Sequence, residues 1–449
     1  MKWYNKWFSL DVIFSSNFVF FLIFLVSLIP IKTDIVDPIG QALEDFQLSD
    51  LVYTALRDEP KKDTNITLVN IGNLNRAELS VLINNINQYN PAVVGIDARF
   101  FKDKTQFYID NGLINGDSLL EIAFSKVRNL VLATKLSDLN EKTSQWDTVH
   151  KSLPRFMKSA HEGTVNMITT ENDFRVARKI AALDFVKDTM KFFFPVKIAA
   201  LYDTKKVDKF LKRKKVLDLI NYKKEKKELD TTGESVKYLE TIYYRGNINN
   251  FYGETDKFGK KDAFNKIDVQ EAMEGSFNPA YVNGKILLLG YMGETIQNDK
   301  YWDEDKFYTP LNKKFAGKSF PDMYGVTVHA NIVSMILNET YINELNETWN
   351  LIITIILCLL SVMIFAYIYN HVHVWWDGLS VIVMILFALV VVGSQLYIFE
   401  NFRTEVDISF VLIYLFLLGN FLELYYEYAK PGMIFLIRKM ASMLTKTAK

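Results

Sequence analysis

Residues 12–31, VIFSSNFVFFLIFLVSLIPI, form an uncharged run that spans about 30 Å as a helix, one thickness of bilayer hydrocarbon. Such a run either anchors a chain in a membrane or is removed as a signal peptide. Lys2 and Lys6 precede it, as in a signal peptide. It is longer than a typical h-region, however, and Pro30 and Lys32-Thr33-Asp34 stand where an A-x-A cleavage pattern would lie. The expectation is an uncleaved anchor.

Three more apolar runs occupy residues 349–369, 378–399 and 408–428, joined by the short segments 371–377 (HVHVWWD) and 400–407 (ENFRTEVD). Joints this short make antiparallel helical hairpins. Orientation follows from Lys and Arg close to the helix ends. Lys2 and Lys6 lie before the first run, and Lys430, Arg438, Lys439, Lys446 and Lys449 follow the last, with no acid among them. The 400–407 segment holds Glu400, Glu405 and Asp407 against Arg403 alone. Both termini are expected in the cytoplasm, residues 1–11 and 429–449, with 400–407 outside and an even number of spans. The basic stretch 205–227 falls outside, but long domains cross largely regardless of charge.

The formal net charge is zero, which gives no reason to expect nucleic acid. The single cysteine, Cys358, lies in an apolar run, so the external region has no internal disulfide and rests on its own core, easily achieved by roughly three hundred residues.

Residues 32–346 mix strand and helix signals. Short β-branched or apolar runs at 66–71, 92–100, 129–135, 164–169, 241–245 and 285–291 read as strands. Helical patterns cover 75–89, 194–202, 269–274 and 324–337. The polar segments 146–159 and 203–235 read as loops or exposed helices. The alternation predicts an α/β domain with a mixed or partly parallel sheet, flanked by four transmembrane helices, one before and three after.

Several short motifs follow one another in a definite order. Val94-Gly95-Ile96-Asp97 ends a strand, with Phe100-Phe101 beyond it. Phe194-Pro195 opens a helix carrying Ala199-Ala200-Leu201-Tyr202, and Tyr244-Arg245-Gly246 comes next. Phe264, Val269 and Glu274 precede Pro279-Ala280, then Asn283-Gly284-Lys285 leads into Ile286 to Gly290. Thr309-Pro310-Leu311 and the run from Met323 to Asn331 complete the series. This order resembles the type-2 CHASE domain, the cyclase/histidine-kinase-associated sensing extracellular domain.

The resemblance implies an extracellular sensory module with one membrane helix before it and typically three after. Such modules usually control an attached cytoplasmic cyclase or kinase. Only a short segment follows Tyr428 here, too little for a catalytic domain, so the expectation is a receptor whose effector is separately encoded. Related receptors commonly act as dimers, and a homodimer is expected by that analogy alone.

Asp97 and Arg99 sit at the end of a predicted strand, where open α/β sheets commonly bind ligands. They read as a ligand or switch site, or as residues ordering the following turn, the commoner arrangement. Arg245, within its motif, is a third candidate. His329 and Asn331 near the start of an apolar helix are further candidates, although a lone histidine there is more often a packing residue. With His150 and His161 the other external histidines, no metal site is expected, nor any cofactor. The acidic segment 299–305 (DKYWDED) lacks EF-hand spacing and reads as a solvated loop, with Asp299 aligned to an acid the related domains place before Thr-Pro-Leu. Gly290 and Gly293 are weak evidence for a phosphate loop, and no hydrolase, zinc-protease, P-loop or kinase signature occurs. No enzymatic activity is expected.

Within the spans, Gln395, Asn420 and Glu423 are polar groups costly to leave in lipid. They read equally as glue between this chain's helices or as contacts with a partner's helix, and Glu423 also as an acid reaching for the interface. Met433, Ile437, Met440 and Leu444 recur on one helical face of the tail, with Arg438, Lys439 and Lys446 elsewhere. A basic amphipathic helix of this kind suits an anionic membrane surface or a docking partner. The expected whole is a bacterial inner-membrane sensory subunit that detects an envelope cue or protein and signals to a separately encoded membrane or envelope partner. A non-sensory scaffold in a membrane assembly is the alternative. A transporter is disfavoured by so few intramembrane charges.

Overall fold

The computed structural model describes residues 10–28, 47–58, 60–140, 145–169, 176–187, 189–213, 239–248, 262–294, 305–312 and 320–447. Its contacts divide the chain into two compact units, Gln41–Ile342 and the combination of Met1–Gly40 with Asn343–Lys449.

In the first unit the described strands, in chain order, are β1 (Asp63–Asn70), β2 (Val93–Ile96), β3 (Leu130–Asn140), β4 (Gln145–His150), β5 (Ala160–Thr164), β6 (Ile168–Thr169), β7 (Ala177–Ala181), β8 (Leu183–Val186), β9 (Thr189–Phe192), β10 (Leu239–Thr241), β11 (Phe264–Ile267), β12 (Ile286–Gly290) and the short antiparallel pair β13 (Lys306–Phe307) and β14 (Met323–Tyr324). The main sheet runs β11-β1-β12-β2-β3-β4-β8-β9, with β5 also on β3. Strands β11, β1, β12, β2, β3 and β5 pair in parallel. Beyond Lys135, β3 turns antiparallel against β4, and β8 and β9 form an antiparallel hairpin. The sheet is therefore mixed, as expected.

Both faces of the parallel part are covered, which explains why β2 (VVGI) and β12 (ILLLG) are apolar without alternation and wholly buried. One face sends Val69, Val94, Ile96, Leu132, Leu287 and Leu289 into a core with Leu82, Ile86 and Phe124 from the helices Arg76–Asn87 and Gly116–Ser125. Helices Phe194–Tyr202 and Gly325–Leu337 pack on the sheet's other face. Local signals place these helices. Asn75 accepts from the amides of Ala77 and Glu78 while the Glu78 carboxylate returns to the Asn75 amide. Pro195 stands in the first turn of its helix, where a missing N–H is harmless.

Four sequence expectations change. The strand expected over 92–100 ends at Ile96: the Asp97 amide makes the last bond to β12, and Ala98 to Phe100 leave the ladder. The 164–169 strand divides between the end of β5 and β6, and the 241–245 strand contracts to Leu239–Thr241. The polar segment 146–159, expected without strands, contains most of β4; its described side chains are half-buried or exposed, so pairing with β3 requires no apolar run. In 203–235 the helix Thr204–Arg213 is exposed on one side, and the remainder lies outside the described residues.

The second unit is helical. Glu347–His371, His373–Phe402 and Ser409–Met440 are long and apolar enough to cross a membrane by length and composition. A 3-10 turn over His373–Trp375 joins the first two, and Arg403, in the left-handed region, ends the second. The last helix continues past Leu424 through a π-helical turn, Tyr425–Ala429, into Lys430–Thr447. The apolar helix before the domain is described over Leu10–Ser27, and residues 29–31 of the expected span lie outside the described residues. It packs against the helices Glu347–His371 and Ser409–Leu424.

Candidate functional site

The parallel sheet brings Asp97 and His329 together. Asp97 follows β2 directly, its amide donating to the Leu289 carbonyl of neighbouring β12 at 2.8 Å. His329 lies in the first turns of the Gly325–Leu337 helix, with Nε2 3.6 Å from Asp97 Oδ2. The start of that helix is drawn in by Gly325, whose amide donates to the Asp305 carbonyl at 3.0 Å. A Cβ built on Gly325 would stand 3.8 Å from Asp97 Oδ2 and 3.3 Å from the Phe307 ring.

Burial acts oppositely on the two groups. The Asp97 carboxyl is 18% exposed and accepts no hydrogen bond from the described residues. Burial, reinforced by the Asp305 carboxylate, pushes it up to about 7. His329 is 1% exposed, with its ring 5.5 Å from Phe193 and 5.1 Å from Phe194, and burial drives it down to about 3. The imidazole is therefore neutral at physiological pH. At 3.6 Å the contact is neither an ion pair nor a hydrogen bond. The corner is an uncharged ring beside a carboxyl that burial has pushed up to about 7.

The other candidates have structural partners. Asn331 Oδ1 accepts from the amides of Arg245 (2.7 Å) and Gly246 (3.1 Å), and its Nδ2 donates to the Gly246 carbonyl (3.0 Å). Arg245 Nε donates to Ser334 Oγ at 2.8 Å, and Ser334 and Asn338 both donate to Asp63 Oδ2, at 2.7 and 2.8 Å. This network ties the helix to β1 and explains why the 241–245 strand stops early: a side chain takes the place of the ladder. The Arg99 guanidinium lies 5.7 Å from the exposed Phe101 ring and makes no ion pair among the described residues. Of the expected set, Asp97 and His329 share one corner and Arg245 and Asn331 meet in this second network.

Sequence reasoning passed over Asp322. Its carboxylate accepts from the Thr309 amide (2.8 Å) and hydroxyl (2.5 Å), yet burial still pushes it up to about 7. The Thr309-Pro310-Leu311 motif was the available signal. Gly293, at φ 90°, offers its carbonyl to Asn70 Nδ2 at 3.2 Å, while Asn70 Oδ1 accepts from the Met292 and Gly72 amides. The Gly290–Gly293 turn is thus wired to β1. Asp305 is exposed, and Asp299 lies outside the described residues. Among the described residues no three His, Cys, Asp or Glu side chains are grouped to hold a metal ion.

The model of the CHASE2 domain matches residues 36–365, most of the chain. The chain belongs to the CHASE2 domain family. No curated protein matches it, and no solved structure does. CHASE2 domains are extracytoplasmic sensory domains, and the match runs through the α/β unit into the helix Glu347–His371.

In the helical unit of this CHASE2 chain the polar candidates of the apolar helices separate. Gln395 is 5% exposed and its Oε1 accepts from the Val406 amide at 3.2 Å. It ties the segment after Arg403 back to its own helix. Asn420 is exposed and Glu423 half-buried, three residues apart on one helical face. Neither makes a hydrogen bond among the described residues. Arg438, Lys439 and Met440 are exposed on the Lys430–Thr447 helix, and the side chain of Lys446 lies outside the described residues. Asp11, which no motif marked, accepts from Tyr425 (3.1 Å), Tyr426 (3.0 Å) and Lys430 (2.9 Å).

Proposed function

We propose that this CHASE2 chain is a four-span sensory subunit, non-enzymatic, with both termini in the cytoplasm of a bacterial inner membrane. Its external domain detects an envelope cue and relays it through the helices to a separately encoded partner. The observation that carries the reading is chain continuity at the switch corner. The helix bearing His329 ends at Leu337, and only residues 338–346 separate it from the span that begins at Glu347. A change of charge at Asp97 acts on the start of a helix whose other end leads directly into the membrane.

Two features support the finer points. Phe101, Phe107, Ile109, Leu113 and Ile114 are each more than half exposed, an apolar surface better suited to an envelope protein than to a small solute. Asn420 and Glu423 turn polar groups outward from the last span, where hydrocarbon disfavours them unless another helix supplies partners. The partner is accordingly a membrane protein, and the lipid bilayer the medium of contact.

Affinity purification of the full chain in mild detergent, followed by mass spectrometry, tests this. A membrane protein should co-purify with wild type and be depleted by Asn420→Leu with Glu423→Gln. A chain that always purifies alone, and whose deletion leaves every signalling output unchanged, would end the proposal. Retention of the same large envelope proteins by both forms, with no signalling defect, would favour a scaffold.

A further inference from the structure

A trough of about 870 Å³ lies within the helical unit, bounded by the helices Leu10–Ser27, Glu347–His371 and Ser409–Leu424. Along most of its length the wall is apolar, with Ile355, Leu359 and Met363 successive on one helix. At one end it becomes acidic, where Glu347 and Asp407 form an exposed lip. No Lys or Arg contributes to the lining among the described residues.

The wall also holds Asn17, an exposed amide with no hydrogen-bond partner among the described residues. It sits about one turn from Phe20, whose ring lies 6.4 Å from Phe410, and Phe410 follows Asp407 by three residues. The amide therefore lies a turn or two below the lip. In hydrocarbon an unpaired amide is unfavourable, and an occupant with an acceptor at that depth relieves it.

From Glu347 to Met363 the helix rises about 24 Å, so the apolar wall runs lengthwise through most of a bilayer's hydrocarbon thickness. A hydrocarbon chain lies along such a wall, and the charge at its lip argues for a lipid over a second apolar helix. Asp407 Oδ1 accepts from the Ser409 amide at 2.9 Å, but neither carboxylate has a cation among the described residues, which suits a positive group that can donate hydrogen bonds. The ester carbonyls of a glycerolipid lie below its headgroup, at the level of Asn17.

We propose that this trough binds one glycerolipid with a primary-amine headgroup, the amine at Glu347 and Asp407, an ester carbonyl at Asn17 and an acyl chain along Ile355, Leu359 and Met363. The proposal rests on the reading that the helical unit spans a membrane, and it is independent of any signalling partner. A bound lipid would join the first helix to the one that follows the sensor domain.

Native mass spectrometry of the delipidated full chain in mild detergent, titrated separately with dioleoyl phosphatidylethanolamine, phosphatidylcholine and phosphatidylglycerol, tests it. One phosphatidylethanolamine should be retained per chain, about fivefold or more above the other two. Glu347→Gln with Asp407→Asn should abolish that preference while leaving phosphatidylcholine retention unchanged. Asn17→Leu should weaken all three lipids, since the ester is common to them. Leu359→Trp, checked for helicity and monodispersity, should block binding by filling the trough. Equal retention of the three lipids, or a preference that survives the double substitution, overturns the proposal. So does cysteine crosslinking at Ile355→Cys that shows a second copy's helix covering the trough.

Discussion

Asn331 and Gly246 exchange two hydrogen bonds, the Gly246 amide donating to Asn331 Oδ1 at 3.1 Å and Asn331 Nδ2 donating to the Gly246 carbonyl at 3.0 Å. A side-chain amide thus satisfies a backbone segment as a neighbouring strand would. Asn331 is wholly buried, so truncating it strands the Arg245 and Gly246 amides away from water. Asn331→Ala should cost about 2–4 kcal/mol of stability, read as thermal or urea unfolding of the full chain in detergent. A loss within experimental scatter would mean that the 245–246 segment is held by other contacts.

Asp97 makes stability depend on pH with a definite sign. Its folded value is about 7, above the ordinary value of 3.8, so the folded state binds the proton more tightly than the unfolded state. The contribution is fully present below the unfolded value and is lost as pH rises through about 7. Asp322 acts in the same direction and His329 in the opposite one. Asp97→Asn should therefore raise the melting temperature at pH 8 and leave it nearly unchanged at pH 4. The gain should be on the order of 1–3 kcal/mol, within the limit of about 1.4 kcal/mol per pKa unit. An equal shift at both pH values would remove titration of Asp97 as the cause.

Gly290 ends β12 against the Gly325–Leu337 helix. A Cβ there would lie 2.6 Å from Val326 Cβ, too close for the helix to keep its place. Gly290→Ala should destabilise the domain by about 1–3 kcal/mol. Because the nearest atom is the Val326 Cβ, Val326→Gly, compared with the same change beside Gly290, should recover part of that loss. If Val326→Gly costs the same in both backgrounds, the helix does not approach the sheet as described.

At the other end of the chain Asp11 joins the first helix to the last through Tyr425, Tyr426 and Lys430. Lys430→Met leaves a partly buried carboxylate with only hydroxyl donors. Adding Asp11→Asn removes that charge. The double variant should be more stable in detergent than Lys430→Met alone, with a coupling of about 0.5–3 kcal/mol. Strict additivity would show that the pair does not interact.

Much of the domain was legible because its signals are local. The buried parallel strands β2 and β12 announce themselves as short apolar runs, and the Asn75 cap, like that of Asp268 before the helix Val269–Glu274, marks a helix start within four residues. The antiparallel extension was not legible. Strand β4, QWDTVH, is solvated on much of its surface and owes its conformation to β3 rather than to its own composition. The candidate site was half legible for the same reason. Asp97 stood out at a strand end and His329 at a helix start, but nothing local pairs residues so distant in sequence or assigns Asn331 to Gly246.

The sequence alone determined that this chain carries apolar runs long enough for membrane helices around an α/β sensory domain, because hydropathy and short motifs act over neighbouring residues. Tertiary structure decided what each polar residue does. It turned Gln395 inward to Val406 and left Asn420 facing outward, a difference set by helix rotation within the bundle. It also placed Asp97 where it is largely withdrawn from water and a second carboxylate is near. A carboxyl's charge depends on that surrounding field, which no stretch of sequence contains.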